Sequence, residues 1–248
     1  MRALLVLIAL LTCVAAQAAD TFVIVHGAWG GGWAFREVDK LLSADGNKVF
    51  RPSLTGQGER SHLAKLIDID LDLHIQDVVN QILWEDLHDV VLVGHSYGGM
   101  VITGVVDQVP ERIKRVVYLD AFLPENGESV ETLRKGPGLG FPTDGQFIIP
   151  TWIKGTEPLP HDVPHPLKTW TQKIKLTHQD KASLVPSSYI LTVDKGKKAE
   201  DDTFFPYSER AKARNWPIVI MEGDHNVQWS APKELVSLLE KEAARPKS

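Results

Sequence analysis

The sequence predicts an α/β fold with a mostly parallel β-sheet that helices cover on both faces. Short runs of apolar, largely β-branched residues alternate along the chain with segments whose apolar residues have helical spacing. Most of these runs lack regular polar positions, which is typical of strands buried on both faces of a parallel sheet. A serine between glycines directly follows one run, as expected where a strand turns sharply into a helix.

The elements follow in the order that such a sheet requires. A first strand at 21–25 ends at a glycine-rich loop, and a helix at 35–43 and a short strand at 47–52 come next. Asp70 is the predicted N-cap of a helix that reaches about residue 83. The later elements are strands at 89–93, 115–120, 188–193 and 217–221, with helices at about 98–109 and 231–243. Functional residues are expected at the carboxyl ends of the strands.

Residues from about 123 to 185 interrupt this alternation with a segment rich in proline and in scattered aromatic residues. Loops this long within a compact domain are usually functional and often cover a site, although a disordered insertion is the alternative. A chain of 248 residues with 43% hydrophobic content can bury one large core. We therefore predict one domain over 20–248, with this segment as an inserted cap.

The N-terminus resembles a secretory signal peptide over residues 1–19, because Arg2 precedes an apolar run and Ala16-Gln17-Ala18 matches a cleavage site. The run is short for a membrane span, so we expect a periplasmic or secreted protein without a stable span. Cys13, the only cysteine, would be removed with it, and a lipoprotein anchored at Cys13 is the weaker alternative. A net charge of -5 without a basic stripe argues against nucleic acid as a partner.

The serine between glycines is the strongest functional signal. The pattern Gly94-His95-Ser96-Tyr97-Gly98 after an apolar strand predicts a nucleophile elbow, in which a strained turn exposes the Ser96 hydroxyl at the sheet edge. Gly94 and Gly98 are small because the neighbouring strand and helix pass close to the turn. The alternative is a glycine-rich turn whose serine only caps the helix.

A serine hydroxyl becomes a useful nucleophile only when a base removes its proton. His225 follows the last predicted strand and is the candidate base. The backbone N–H groups of Tyr97 and of Ala28, in the loop after the first strand, are candidate donors for an oxyanion hole. That loop lacks the G-x-G-x-x-G pattern with a following acid, so we do not expect a nucleotide site, and the sequence shows no metal-ligand cluster.

Five segments together resemble one branch of the α/β-hydrolases, which contains plant methylesterases, hydroxynitrile lyases and bacterial pyrethroid-hydrolase-type esterases. They are HGAW at 26–29, LTGQGERSH at 54–62, GHSYGG at 94–99, LDAFLP at 119–124 and GDH at 223–225. The resemblance implies an α/β-hydrolase fold and ester cleavage without a cofactor by a Ser-His-acid triad. It assigns the triad serine and histidine to Ser96 and His225, and the oxyanion donors to Ala28 and Tyr97.

The acid of the triad does not carry over directly. In that branch an aspartate follows the strand at Tyr189 after a fixed interval, whereas Asp194 comes one residue early and precedes an insertion at 197–203. Asp194 is the first candidate because it ends a strand expected beside the site. Asp201 and Asp202 are alternatives if the insertion folds back, and Asp120 is another at the end of the preceding strand. Any of them could also be a solvated loop carboxylate.

The leading hypothesis is a serine esterase that acts on small to medium apolar carboxylic esters through an acyl-enzyme. A hydroxynitrile lyase on the same scaffold is the first alternative. The lyases of the resemblance have threonine at the position of Gly27 and lysine at that of Asn226, which disfavours it. A noncatalytic protein that holds a small apolar ligand is the second alternative, and the displaced acid is its only support.

Overall fold

The computed structural model describes residues 19–134 and 140–246, and its central feature is a six-stranded sheet. The strands of this sheet are β1 (Thr21–Val25), β2 (Lys48–Phe50), β3 (Val90–His95), β4 (Ile113–Leu119), β7 (Ser187–Val193) and β8 (Ile218–Glu222). They lie in the order β2-β1-β3-β4-β7-β8, and every neighbouring pair is parallel. Two further short strands, β5 (Phe147–Ile148) and β6 (His165–Pro166), pair antiparallel. The predicted parallel sheet is confirmed.

Helices follow most of the strands. They are α1 (Arg36–Ala44), α2 (Leu71–Trp84), α3 (Gly98–Gln108), α4 (Val130–Leu133), α5 (Lys168–Thr171), α6 (Gln179–Ala182), α7 (Phe205–Ala213), α8 (Val227–Ser230) and α9 (Pro232–Ala244). The Asp70 side chain accepts a hydrogen bond from Leu73 N at 3.0 Å, which is the cap expected at the start of α2. None of the described helices is both long and apolar enough to cross a membrane.

The helices bury both faces of the sheet, because side chains alternate in direction along a strand. In β1, Phe22 and Ile24 belong to a core cluster shared with α1 and α9. Val23 and Val25 belong to the cluster on the other face, which includes side chains of α2 and α3. All four side chains are fully buried. The central strands are therefore enclosed, whereas the edge strand β8 leaves Ile220 61% exposed.

Two regions have more structure than the sequence predicted. Helix α7, which follows the insertion at 197–203, was not predicted. Only Tyr207, Ser208 and Ala211 of its nine residues are buried, and so few buried positions give the sequence only a weak apolar periodicity. The segment between β4 and β7 contains the β5–β6 pair and the single-turn helices α4, α5 and α6. The predicted signal peptide falls on residues that the structure does not describe, apart from residue 19.

Candidate active site

The turn after β3 places Ser96 at the carboxyl edge of the sheet. Ser96 has a φ of 54°, a left-handed conformation that is rare for a residue with a side chain. Its N–H donates to Leu119 O at 3.2 Å, and its carbonyl accepts from Gly99 N and Phe122 N, each at 3.1 Å. These bonds fix the strained turn, and the conformation is that expected of a nucleophile elbow.

Small residues allow this turn to form. A Cβ on Gly98 would lie 2.5 Å from Val25 O, and a Cβ on Gly99 would lie 2.0 Å from Phe122 O. Neither contact is possible for a real side chain, since both oxygens belong to the backbone. The first turn of α3 therefore packs directly on the backbone at the end of β1 and on the backbone of the segment that follows β4.

The structure joins His225 to Asp120. His225 Nδ1 donates to Asp120 Oδ2 at 2.6 Å, and the Asp120 carboxylate is completely buried. The other carboxylate oxygen, Oδ1, accepts from Thr192 N at 3.1 Å. A buried carboxylate needs such partners, and here they hold it against one nitrogen of the imidazole. The pair can orient the ring with Nε2 free to act as a base.

This arrangement corrects the preference for Asp194 as the acid. Asp194 lies in the turn after β7, where its carboxylate is 46% exposed and pairs with Lys197 Nζ at 2.6 Å. The reason is the strand order, because β7 lies between β4 and β8 and its Thr192 N–H binds the carboxylate that ends β4. Asp120 therefore occupies the place beside His225, and Asp194 lies beyond it in the surface turn.

The other two candidate acids do not bind His225 in the structure either. Asp201 is exposed in a short 3₁₀ turn, and Asp202 Oδ1 accepts from Phe204 N at 2.7 Å. Burial, followed by the nearby Asp120 charge, raises the pKa of the Asp202 carboxyl above its usual value. Asp202 is thus near the pair but serves as a local turn cap.

Two aromatic rings hold the His225 imidazole. The ring of Phe204 stacks on it with a 3° interplanar angle and centroids 4.9 Å apart. His95 lies on the elbow strand, and its Nε2–H donates to His225 O at 2.8 Å. Burial and the neighbouring His225 hold the pKa of His95 well below its usual value, so His95 is a neutral donor. The position of His225 is therefore set by both its side chain and its backbone.

The loop after β1 passes directly beside the serine. A Cβ on Gly27 would lie 3.0 Å from Ser96 Cβ, so the glycine lets the backbone approach the nucleophile. Within residues 19–134 and 140–246, the backbone N–H groups of Ala28 and Tyr97 donate to no other protein group. Two unused amides beside a serine are suited to stabilise a negative oxygen.

Ser96 and His225 line one cavity of about 480 Å³. Its walls include four aromatic side chains, from Trp29, Phe141, Trp152 and Trp229. Trp29 packs edge-on against Phe141 at 4.7 Å and against Trp152 at 5.0 Å between centroids. Among the residues the structure describes, no group of three or more His, Cys, Asp or Glu side chains could hold a metal ion.

Sequence reasoning missed one polar residue of this cavity. Asp162 lies in the segment between β4 and β7, and its Oδ2 accepts from Trp152 Nε1 at 2.8 Å. Burial raises the pKa of the Asp162 carboxyl above its usual value. Its signal in the sequence was weak, because it follows a proline-rich stretch without periodicity and lies far along the chain from the elbow.

Comparison with known proteins identifies the family of this chain. A family model described as the alpha/beta hydrolase family matches residues 22–238. The carbendazim hydrolyzing esterase of Nocardioides sp. is 52% identical over 112 residues, which are 45% of this chain and 46% of that protein. The chain thus aligns with less than half of that relative. The pFDCC methylesterase of Arabidopsis thaliana is 29% identical over 251 residues, covering 88% of this chain and 92% of the relative.

Solved structures resemble the chain over most of its length. An extracellular alpha/beta-hydrolase from a Paenibacillus species matches with a TM-score of 0.72 and 26% identity, and the match covers 91% of this chain and 100% of that one. The predicted resemblance to plant methylesterases and pyrethroid hydrolases is confirmed, since a pyrethroid hydrolase is also among the relatives, at 33% identity over 132 residues. That alignment covers 52% of this chain and 46% of the relative. With the sheet order, the elbow and the family match in agreement, the chain belongs to the alpha/beta hydrolase family.

Proposed function

We propose that this chain is a carboxylesterase-type serine hydrolase that cleaves small to medium apolar carboxylic esters through an acyl-enzyme. The observation that carries the proposal is the 2.6 Å contact between His225 Nδ1 and the buried Asp120 carboxylate, at the cavity that Ser96 also lines. The relatives named as esterases support ester cleavage as the reaction.

In the acylation step, His225 Nε2 takes the proton of the Ser96 hydroxyl while Oγ attacks the ester carbonyl carbon. Asp120 keeps the proton on Nδ1, so Nε2 is the basic nitrogen, and it stabilises the imidazolium that forms. Negative charge moves to the carbonyl oxygen, where the N–H groups of Ala28 and Tyr97 donate to it. The imidazolium then protonates the leaving alcohol, and an acyl group remains on Ser96.

Deacylation repeats these roles with water. His225 Nε2 removes a proton from a water molecule, whose oxygen attacks the acyl carbon, and the same two amides stabilise the second oxyanion. Return of the proton to Ser96 Oγ releases the acid. The buried Asp120 carboxylate, held by Thr192 N and His225 Nδ1, supports this assignment because it orients the imidazole before substrate binds.

The cavity supports a modest apolar substrate. Its volume of about 480 Å³ is within the range of pockets for small ligands, and its four aromatic side chains favour an apolar acyl or alcohol group. We further infer export to the periplasm or the medium. The signal pattern at 1–19 supports export, and one structural neighbour is named as extracellular.

Turnover of a short p-nitrophenyl ester tests the proposal. We expect the single variants Ser96→Ala and His225→Ala each to lose about 10³-fold or more in kcat, with the double variant no worse than either, because triad members act as a unit. Ser183→Ala removes an exposed hydroxyl elsewhere and is the matched control. Wild-type turnover by a folded Ser96→Ala variant would refute the mechanism. A folded wild-type protein that binds esters without cleaving them would favour a noncatalytic ligand carrier.

A further inference from the structure

The cavity beside Ser96 contains a carboxylate with one unused oxygen. Asp162 Oδ2 accepts from Trp152 Nε1, whereas Oδ1 accepts no hydrogen bond from any described residue. Oδ1 lies 3.9 Å from the position that a Cβ on Gly30 would take, so it faces the loop that also carries Ala28. A partly buried carboxylate oxygen without a donor is a binding group for a ligand that has one.

The surroundings of Asp162 leave its charge largely uncompensated. Among the described residues that line the cavity, Asp162 is the only acid, and the basic side chains are three histidines, His26, His95 and His225. Burial lowers the pKa of His26 to about 4, and His95 is held neutral as well. The neighbouring His161 acts on the pKa of the Asp162 carboxyl in the opposite direction to burial, but burial has the larger effect, and His161 Nδ1 donates to the Asp162 backbone carbonyl at 2.7 Å.

Aromatic rings line the cavity that this carboxylate also lines. Trp152 donates a hydrogen bond to the carboxylate, and Trp29 packs edge-on against Trp152. The centroid of the Phe141 ring lies 4.7 Å from that of Trp29 and 6.1 Å from that of Trp152. The Arg134 guanidinium already lies over the Phe141 ring, 5.2 Å from its centroid, but no described cationic side chain lies over Trp29 or Trp152. The faces of such rings attract ammonium groups and also accept flat apolar groups. A ligand with an aromatic ring and an N–H group can therefore bind both the aromatic side chains and the Asp162 carboxylate.

We propose that Asp162 is a specificity-determining residue that selects esters whose aromatic part carries an N–H group, an ammonium above all. The N–H donates to Asp162 Oδ1 while the aromatic part packs against Trp29 and Trp152. This inference rests on the proposed esterase function and narrows its substrate class. A carbon group of the same shape would leave Oδ1 desolvated and unpaired, so it binds less well.

Isosteric methyl esters test this directly. We would measure kcat/KM for methyl 3- and 4-(aminomethyl)phenylacetate. The matching esters are methyl 3- and 4-ethylphenylacetate, in which a ring ethyl group replaces the aminomethyl group. A neutral pair, methyl 4-acetamidophenylacetate and methyl 4-(2-oxopropyl)phenylacetate, separates N–H donation from charge. The wild-type protein is expected to prefer the aminomethyl ester by about tenfold in at least one position, with a smaller preference of the same sign in the neutral pair.

Asp162→Asn should bring the aminomethyl-to-ethyl ratio to one or below, because the amide keeps an oxygen for Trp152 Nε1 and turns an NH₂ donor toward the ligand. Asp180→Asn removes the same charge from an exposed helix position and should keep the wild-type ratio. Inhibition of the wild-type protein by benzylammonium gives a readout that needs no variant, and benzylammonium should inhibit better than benzyltrimethylammonium, which has no N–H.

Three outcomes would overturn the inference: a wild-type ratio of one or below at both positions, a ratio unchanged in a folded Asp162→Asn variant, or equal inhibition by the two ammonium ions. If the methyl ethylphenylacetates are cleaved and the preference for the aminomethyl compounds is missing, only the role of Asp162 fails. If a folded wild-type protein cleaves none of the six esters and no p-nitrophenyl ester, the proposed function fails as well.

Discussion

The orientation of His225 depends on a single buried carboxylate at the end of β4. Asp120 has a φ of 43° and is followed by Ala121, Phe122 and Leu123, all buried. A charged residue between an apolar strand and an apolar segment must be buried, and buried carboxylates require partners. The apolar residues on both sides of Asp120 in the sequence thus favour it over Asp194 as the acid.

We predict that Asp120→Asn lowers kcat by about 10³-fold or more, because an amide favours the wrong imidazole tautomer and cannot stabilise the imidazolium. Asp194→Asn removes the same charge from a surface turn and should stay within about twofold of wild type, since surface ion pairs contribute little. Ester turnover by the two purified variants decides between them. An Asp194→Asn variant as inactive as Asp120→Asn would contradict the assignment.

Gly27 also limits what the site can do. A Cβ there would lie 3.0 Å from Ser96 Cβ and 3.2 Å from His95 Nδ1. The threonine that hydroxynitrile lyases of the resemblance carry at this position would therefore require the nucleophile or His95 to shift. The lack of space for a side chain at Gly27 and the presence of Asn226 in place of a lysine both argue against the lyase hypothesis.

At the level of elements, the sequence predicted the strands and long helices of the sheet closely, because their apolar runs are unbroken. The sequence could not predict the order in which the strands lie in the sheet. That order determines which carboxylate lies next to His225. With β7 between β4 and β8, the loop after β8 brings His225 to Asp120 at the end of β4. The aromatic residues of the segment at 123–185 predicted a cover over the site, but Asp162 could not be singled out because that segment has no periodicity.

The packing of α3 against β1 provides an element-scale prediction. Gly98→Ala should lower the free energy of unfolding by about 1–3 kcal/mol, because its Cβ would meet Val25 O at 2.5 Å and force the elbow to move. Gly30→Ala is the matched control, since the nearest atom to its Cβ would be 3.9 Å away. Urea unfolding of both variants provides the comparison. Equal stability of the two would show that the elbow tolerates displacement.

At the scale of the whole molecule, buried neutral histidines couple stability to pH. Burial lowers the pKa of both His26 and His74 from 6.5 to about 4 in the folded protein. Both rings have two hydrogen-bonded nitrogens: His26 bonds Gly27 O and Leu54 N, and His74 bonds Tyr97 Oη and Thr55 O. They connect the β1 loop, the elbow and the loop before α2 while remaining uncharged.

Between pH 6.5 and 4, the unfolded chain binds more protons at these positions than the folded protein, so lowering the pH favours unfolding. Stability from this source is complete above about pH 6.5 and is lost as the pH falls toward 4. We predict that the free energy of unfolding falls by about 1–2 kcal/mol per buried histidine from pH 7 to pH 5. Urea unfolding at the two pH values measures this.

His62 is exposed and is the matched control, because His62→Gln removes an imidazole from the surface without changing the buried histidines. That variant should show the same decrease as the wild-type protein. A wild-type protein that is equally or more stable at pH 5 than at pH 7 would mean that the folded histidines accept protons without penalty.

The most direct test of the whole account is covalent labelling of the folded protein by a fluorophosphonate, with the modified residue identified by peptide mass spectrometry. The probe reports a serine made nucleophilic by a base, whatever the natural ester is. We predict one adduct, on Ser96, formed much more slowly in His225→Ala and in Asp120→Asn but at the wild-type rate in Asp194→Asn. No adduct, an adduct on another serine, or labelling of Ser96 that does not depend on His225 would contradict the proposed triad.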